Sequence, residues 1–281
     1  MNILDKIVAH KKLQIAERKN TVPIAQLEKF DLFQRKSVSL TQRLTQSGST
    51  GIIAEFKRKS PSKGMINPDA DVMKTTTGYV AAGAAALSIL TDEEFFGGSS
   101  ENLHRVRLHN ACPILRKDFM IDEYQIVEAK AMGADVILLI AAILTPEETK
   151  NLAILARSLE MEVLLEVHDE EELQQTALNE LVSPYVNVVG VNNRNLKTFE
   201  VSVGTSKELA PLIPDDFVKI SESGIGDPAT ILQLKAHGYQ GFLMGENFMK
   251  TDDPAQACAN FIQQLKSQEI QAKSQSCDTG I

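Results

Sequence analysis

This chain has no cysteine or histidine pattern that reads as a metal site or a disulfide framework. Its three cysteines, Cys112, Cys258 and Cys277, are odd in number and form no CxxC pair. Its five histidines, His10, His104, His109, His168 and His237, show no HExxH or comparable ligand spacing. Surface or second-layer positions are therefore expected for most of them, with no bound metal. Long apolar runs are also missing. The longest, Val136 to Leu144, is far below the roughly 20 residues that span a bilayer, and MNILDKIVAHKK at the start carries no signal-like apolar stretch. Cationic residues are in the minority, 29 against 37 acidic ones, for a formal net charge of −8. That balance argues against wrapping nucleic acid, which needs clustered positive charge. The expectation is a reduced, cytoplasmic protein that binds neither membrane nor nucleic acid.

What the chain does have is material for a core and a repeating pattern. Its 281 residues, 43% hydrophobic and 23% charged, suit one large α/β domain or two small ones. From residue 52 onward, short β-branched runs alternate with helical stretches. The runs are Ile52–Phe56, Ala86–Leu90, Ile114–Leu115 with its polar tail, Val136–Ile140, Val163–Val167, Val186–Val191, Phe217–Ser221 and Gly241–Met244. Several are almost wholly apolar, as parallel strands covered on both faces should be. Helices are predicted over Asp122–Met132, Pro146–Glu160, Glu170–Leu178 and Pro228–His237. Pro146 after Thr145 and Pro228 after Asp227 are helix starts, and Gly133 and Gly238 are stops. Eight strand–helix units fit a closed (β/α)8 barrel, whose usual size is about 250 residues. A doubly wound open sheet is the alternative, but no GxGxxG follows the first strand.

The polar residues sharpen this. IIAEFKRKSPSKG (52–64) ends an apolar run in Glu55 and Lys57, which share a face with Ile53, and then opens into a cationic Ser/Pro/Gly loop. Other apolar runs end likewise: Thr91/Asp92, Lys117, Glu166, Asn192/Arg194 and Glu222/Ser223. Barrel active sites are built at the C-terminal ends of the strands. Leu115 shares a face with Lys117, Leu164 with Glu166 and Ile220 with Glu222, so these groups should converge over the mouth. Each has a plain structural explanation on its own, as an ion-pair partner or a solvated charge. Their recurrence at strand ends is what argues for a site. SESGIGDP (221–228) and GFLMGENFM (241–249) add two Gly-containing turns before helices. Backbone N–H groups in such places bind phosphate, and the loops after strands 7 and 8 are its usual seat. Glu246 beside a dianion is expected to point away.

With these motifs the chain resembles the indole-3-glycerol-phosphate synthase family along essentially its whole length. The matching segments are IIAEFKRKSPSKG, LTDEEFFGGSSENL, PILRKDFMIDEYQI, LLEVHDEEEL, VGVNNRNLKTFEV and ISESGI. The resemblance implies a (β/α)8 barrel with an N-terminal helical extension, and a carboxy-lyase of tryptophan biosynthesis. It closes the ring of 1-(2-carboxyphenylamino)-1-deoxyribulose 5-phosphate with loss of CO₂ and water. By that resemblance Lys117 is the proton donor to the ketone and Glu166 the general base. Lys57, with Glu55 beside it, binds the substrate carboxylate and assists dehydration. Asn192, Arg194, Glu222 and Ser223 orient the substrate, with Ser60 in the first loop. Pro61, Phe96, Phe119, Leu138, Ile140 and Leu196 form the slot for the aromatic ring. Gly224, Gly245 and Glu246 offer backbone to the phosphate; the family's common Gly-Ser is Gly245-Glu246 here, so only a backbone role carries over at 246. Burial and neighbouring cations are expected to lower the Lys117 pKa. No cofactor is implied.

Residues 1–51 stand outside the repeat. Ile3, Leu4, Ile7 and Val8 fall at helical spacing, so an amphipathic helix should plug the barrel or cover its mouth. The barrel spans 52–266, and residues 267–281, rich in Gln and Ser, are expected to fray. A monomer acting on a small phosphorylated anion is expected, with other tryptophan-pathway enzymes as conceivable partners. The competing readings are another phosphosugar barrel, such as phosphoribosylanthranilate isomerase, and an inactive anion-binding barrel.

Overall fold

The computed structural model describes residues 3–196 and 198–278. Eight parallel strands run in order around a closed barrel. They are β1 (Ile52–Phe56), β2 (Ala86–Leu90), β3 (Ile114–Lys117), β4 (Val136–Ile140), β5 (Glu162–Val167), β6 (Val188–Asn192), β7 (Val218–Glu222) and β8 (Tyr239–Met244). β1 pairs with both β2 and β8, which closes the ring and leaves no sheet edge.

Strand alternation divides the core in two. Ile53, Leu115, Val136, Leu138, Leu164, Val188, Ile220 and Leu243 fill the barrel interior. Ile52, Ala54, Phe56, Leu87, Ile89, Ile137, Leu139, Val163 and Leu165 face the surrounding helices. The inward face carries Ile53 on to Glu55, Leu115 to Lys117, Leu164 to Glu166 and Ile220 to Glu222. Register then sets the heights: Glu166 lies opposite Ile140 and Gly190, and Asn192 opposite Glu222. Gly190 makes room in this layer, since a Cβ there would come 2.6 Å from Glu222 Oε1.

The predicted helix signals act as expected. Thr145 and Glu148 form a capping box ahead of Pro146, and Asp227 caps Pro228–Ala236 through the Thr230 N–H.

The N-terminal extension serves both ends of the barrel. The short helix Leu40–Thr45 sits under the bottom, where Glu162, at the start of β5, accepts from the Leu40 and Thr41 N–H groups at 2.8 and 3.0 Å. A carboxylate at a helix N-terminus is favourable both by charge and by the free N–H groups there. The helix Ile3–Thr21 crosses the mouth instead, putting Ile3, Leu4 and Ile7 on the wall of the central cavity. Residues 267–278, expected to fray, continue the last helix, Pro254–Asp278. Lys235 pairs with Glu269 across that stretch at 2.5 Å; residues 279–281 lie outside the described region.

Candidate active site

At the C-terminal ends of the strands lies a cavity of about 600 Å³. All the residues expected at the site line it: Glu55, Lys57, Ser60, Pro61, Phe96, Lys117, Phe119, Leu138, Ile140, Glu166, Asn192, Arg194, Leu196, Glu222, Ser223, Gly224, Gly245 and Glu246.

Lys117 is the hub. Its Nζ lies 2.9 Å from Glu166 Oε2 and 2.5 Å from Glu222 Oε2. Burial opposes its charge, but Glu166, Glu222 and Glu55 outweigh that penalty and hold the ammonium well above the ordinary lysine range. This corrects the expected downward shift. The cation next to it in sequence, Arg116, points to the other face of β3. There it is fully buried against Glu128 at 2.6 Å and Asp118 at 3.3 Å.

The two carboxylates around Lys117 behave oppositely. For Glu166 burial is overcome by the Lys117 ammonium and by His168, so its carboxyl is held well below the usual range. Burial dominates at Glu222, reinforced by Glu166 and Glu55 against the pull of Lys117, and pushes it up to about 7. One acid is firmly ionised and its neighbour takes up a proton near neutrality.

A second ion pair faces this group. Lys57 Nζ lies 2.7 Å from Glu55 Oε1, and the other Glu55 oxygen accepts from Ser88 Oγ at 3.3 Å. Asn192 extends the Lys117 cluster: its Nδ2 donates to Glu166 Oε1 at 3.1 Å while its Oδ1 accepts the Arg194 N–H at 3.0 Å. The apolar wall is formed by Phe96 and Phe119, with ring centres 5.7 Å apart, together with Leu138 and Ile140.

The turn after β7 holds two successive left-handed residues, Ser223 (φ 68°) and Gly224 (φ 75°). A non-glycine residue there is uncommon and needs support from its surroundings. Buried Asn193 supplies it by donating to Ser223 O and Ser221 Oγ, and Ser206 in turn holds the Asn193 side chain. Gly245 is constrained by a side chain: a Cβ would come 2.7 Å from Glu55 Oε1. Glu246, expected to point away, reaches across the mouth. Its two oxygens lie 3.6 Å from Lys63 Nζ and 3.6 Å from Arg194 Nη2.

Of the two placements the sequence left open for the first helix, the bottom or the mouth of the barrel, the structure takes the mouth. Ile3, Leu4 and Ile7 line the cavity, and buried Lys11 pairs with Asp92 and Asp118 at 2.9 and 2.7 Å. Sequence reading missed Asn193, and His168 behind Glu166. The polar run after each strand was the available signal for Asp92, Asp118 and Asn193; nothing local places residues 3–11 at the mouth.

Fold and site together define a (β/α)8-barrel enzyme centre equipped for acid–base work on a small anion with an apolar part. Residues 4–261 match the family model described as indole-3-glycerol phosphate synthase. A protein of that name from Bacteroides thetaiotaomicron is 46% identical over 269 residues, covering 94% of this chain and 99% of the relative. Another, from a Polaromonas species, is 43% identical over 264 residues, covering 93% and 98%. Among solved structures, one of the tryptophan synthase α2β2 complex from Pyrococcus furiosus aligns with a TM-score of 0.55 at 13% identity, over 77% of this chain and 97% of that one. At that identity the likeness speaks for the fold alone. The chain belongs to the indole-3-glycerol phosphate synthase family.

Proposed function

We infer that this chain closes the indole ring in tryptophan biosynthesis, turning 1-(2-carboxyphenylamino)-1-deoxy-D-ribulose 5-phosphate into indole-3-glycerol phosphate, CO₂ and water. The observation that carries the division of labour is the Lys117 ammonium held between two unlike carboxylates, opposite the Lys57–Glu55 pair and beside an apolar slot.

The ring carbon bearing the carboxylate must bond to the ketone carbon C2′, so the carbonyl oxygen gains a proton. Lys117 supplies it. Its carboxylates hold that proton strongly, and Glu222, which changes charge near pH 7, relaxes the hold whenever it takes up a proton. Carbon–carbon cleavage then releases CO₂ and restores the aromatic ring. Finally the C2′ hydroxyl leaves as water, with a proton delivered to it from the Lys57 side, while Glu166 takes the proton lost from C1′. The sum consumes one proton per turnover. Lys57 balances the substrate carboxylate before it departs, Asn192 keeps Glu166 turned toward the cavity, and Phe96, Phe119, Leu138 and Ile140 sandwich the benzene ring. Backbone N–H groups at Gly224, Gly245 and Glu246 face the phosphate, with Arg194 and Ser223 near it. Free Cys112 and Cys258 suit a reducing cytoplasm.

The direct test is fluorescence of the indole product on incubation with the carboxyphenylamino substrate. An isomerase of the same fold would need a single acid–base pair and would give no indole signal.

A further inference from the structure

His168 lies one residue past the end of β5, nearly buried, and no step above employs it. Its Nδ1 is 3.0 Å from Glu172 Oε2, and its backbone N–H donates to that same oxygen at 2.9 Å. Glu172 is itself fixed, because its N–H donates to Asp169 Oδ1, the cap of the helix Glu170–Gln175. On the other side, His168 Nε2 lies 3.3 Å from Glu166 Oε1 yet has no aligned hydrogen-bond partner. A buried polar nitrogen left in that condition is costly unless a small rotation completes the bond.

We propose that His168, clamped by Glu172, is a positioning residue that orients the Glu166 carboxylate and stabilises its ionised form during turnover. The proposal rests on the reading of Glu166 as the base. Its logic lies in what Lys117 must do. Glu166 Oε2 is paired with the Lys117 ammonium, and that charge is given up when Lys117 protonates the ketone. A carboxylate with no other cation, buried as Glu166 is, would then be driven to take up a proton too early. His168 faces the remaining oxygen, which it shares with Asn192. The charged groups facing the imidazole are Glu166 on its own strand and Glu172 on the following helix; Lys117 and Glu222 stand behind Glu166. The segment Ala141–Ile143, which packs on that helix, brings only apolar side chains. Burial alone would discharge the ring, but the nearby Glu166 carboxylate and the hydrogen-bonded Glu172 prevail and push its pKa up to about 10. Both ring nitrogens then carry protons, one bonded to Glu172 and the other a small rotation away from Glu166.

The test uses the full-length enzyme and its own substrate, with kcat and KM followed against pH and melting followed in parallel. His168→Asn should lower kcat about 10–100-fold, the scale known for outer groups that orient metal ligands, with KM within about twofold. The acid limb of kcat should move to higher pH, since a carboxylate that loses a nearby cation is protonated more easily. Glu172→Gln keeps an acceptor for the His168 N–H but removes the charge. It should move the alkaline limb to lower pH, because the imidazolium is then less stabilised. Limbs that stay in place in both variants, whether or not melting falls, overturn the proposal and leave His168 a packing residue. Glu166→Gln separates the two readings. Near-normal kcat there removes Glu166 as base, whereas a dead Glu166→Gln beside an unshifted His168→Asn removes only the role of His168.

Discussion

At the scale of single residues, charge here depends on which face a side chain takes, not on its neighbours in sequence. Arg116, Lys117 and Asp118 are consecutive, but strand alternation sends Arg116 out to Glu128 and Lys117 in to Glu166 and Glu222. Lys117→Ala should therefore lower kcat about 10²–10⁴-fold, the usual share of a general acid, with substrate affinity largely kept. Lys117→Arg should not restore turnover, because guanidinium releases no proton near neutral pH. Rapid-quench turnover beside equilibrium binding of a product analogue checks both, and a near-normal kcat in either variant removes Lys117 from the role. Glu222 gives a stability prediction of definite sign. Its pKa is raised in the folded state, so its contribution to stability is full below the ordinary glutamate value and is lost as pH rises through about 7. Glu222→Gln should thus raise the melting temperature at mildly alkaline pH and change it little at pH below the ordinary glutamate range, while turnover falls. Equal shifts at both pH values would mean that Glu222 pays no burial penalty as a carboxylate.

At the scale of elements, the first helix is tied to the barrel by charge as much as by packing. Lys11 enters a fully buried cluster with Asp92 and Asp118, and Asp118 also holds Arg116 and accepts from Thr91. Burial works against the Asp118 carboxylate, but Lys11 and Arg116 overcome this and bring its pKa down to about 2. Removing one partner of a buried ion pair costs about 3–5 kcal/mol, because the other charge stays buried and unpaired. Lys11→Met should lose stability on that scale. It should also raise KM, since Ile3, Leu4 and Ile7 on the same helix form part of the cavity wall. Acid unfolding should begin at higher pH, because Asp118 without Lys11 takes up a proton sooner. Thermal melts, an acid titration and steady-state kinetics report the three effects. A KM that stays constant while stability falls would separate the helix from substrate binding. Such a tie leaves no trace in local pattern, which is why the extension was readable as a helix on the barrel while the choice between its bottom and its mouth stayed open.

At the scale of the whole molecule, the barrel was legible because parallel strands buried on both faces are written as short apolar runs, and the inward period of two points at the chemistry. Val136–Ile140 and Ala86–Leu90 fall on the strands residue for residue. Long-range neighbours were less legible: the Lys117 environment, the Glu172–His168 clamp and the direction of Glu246 all depend on which loops meet over the mouth. The last of these bears on how a protein of net charge −8 collects a phosphorylated substrate. Lys57, Lys63, Arg194 and Lys250 line the cavity, but so do Glu55 and Glu246, so an anion meets these cations only where a neighbouring carboxylate leaves them free. Glu246 sits between Lys63 and Arg194 at ion-pair range from each and occupies the field a phosphate would seek. Glu246→Ser removes that competitor and frees both cations, so affinity for inorganic phosphate and for a product analogue should rise several-fold. The gain should shrink as salt is added, since these groups are half-exposed and the Debye length is only about 8 Å at physiological ionic strength. Lys63→Met should cancel most of the gain when combined with Glu246→Ser. Gly245→Val is a poor probe of the same question, because its side chain would strike Glu55 and disturb Lys57 with it. Weaker binding by Glu246→Ser would instead show that the carboxylate serves to hold the two loops together over the substrate.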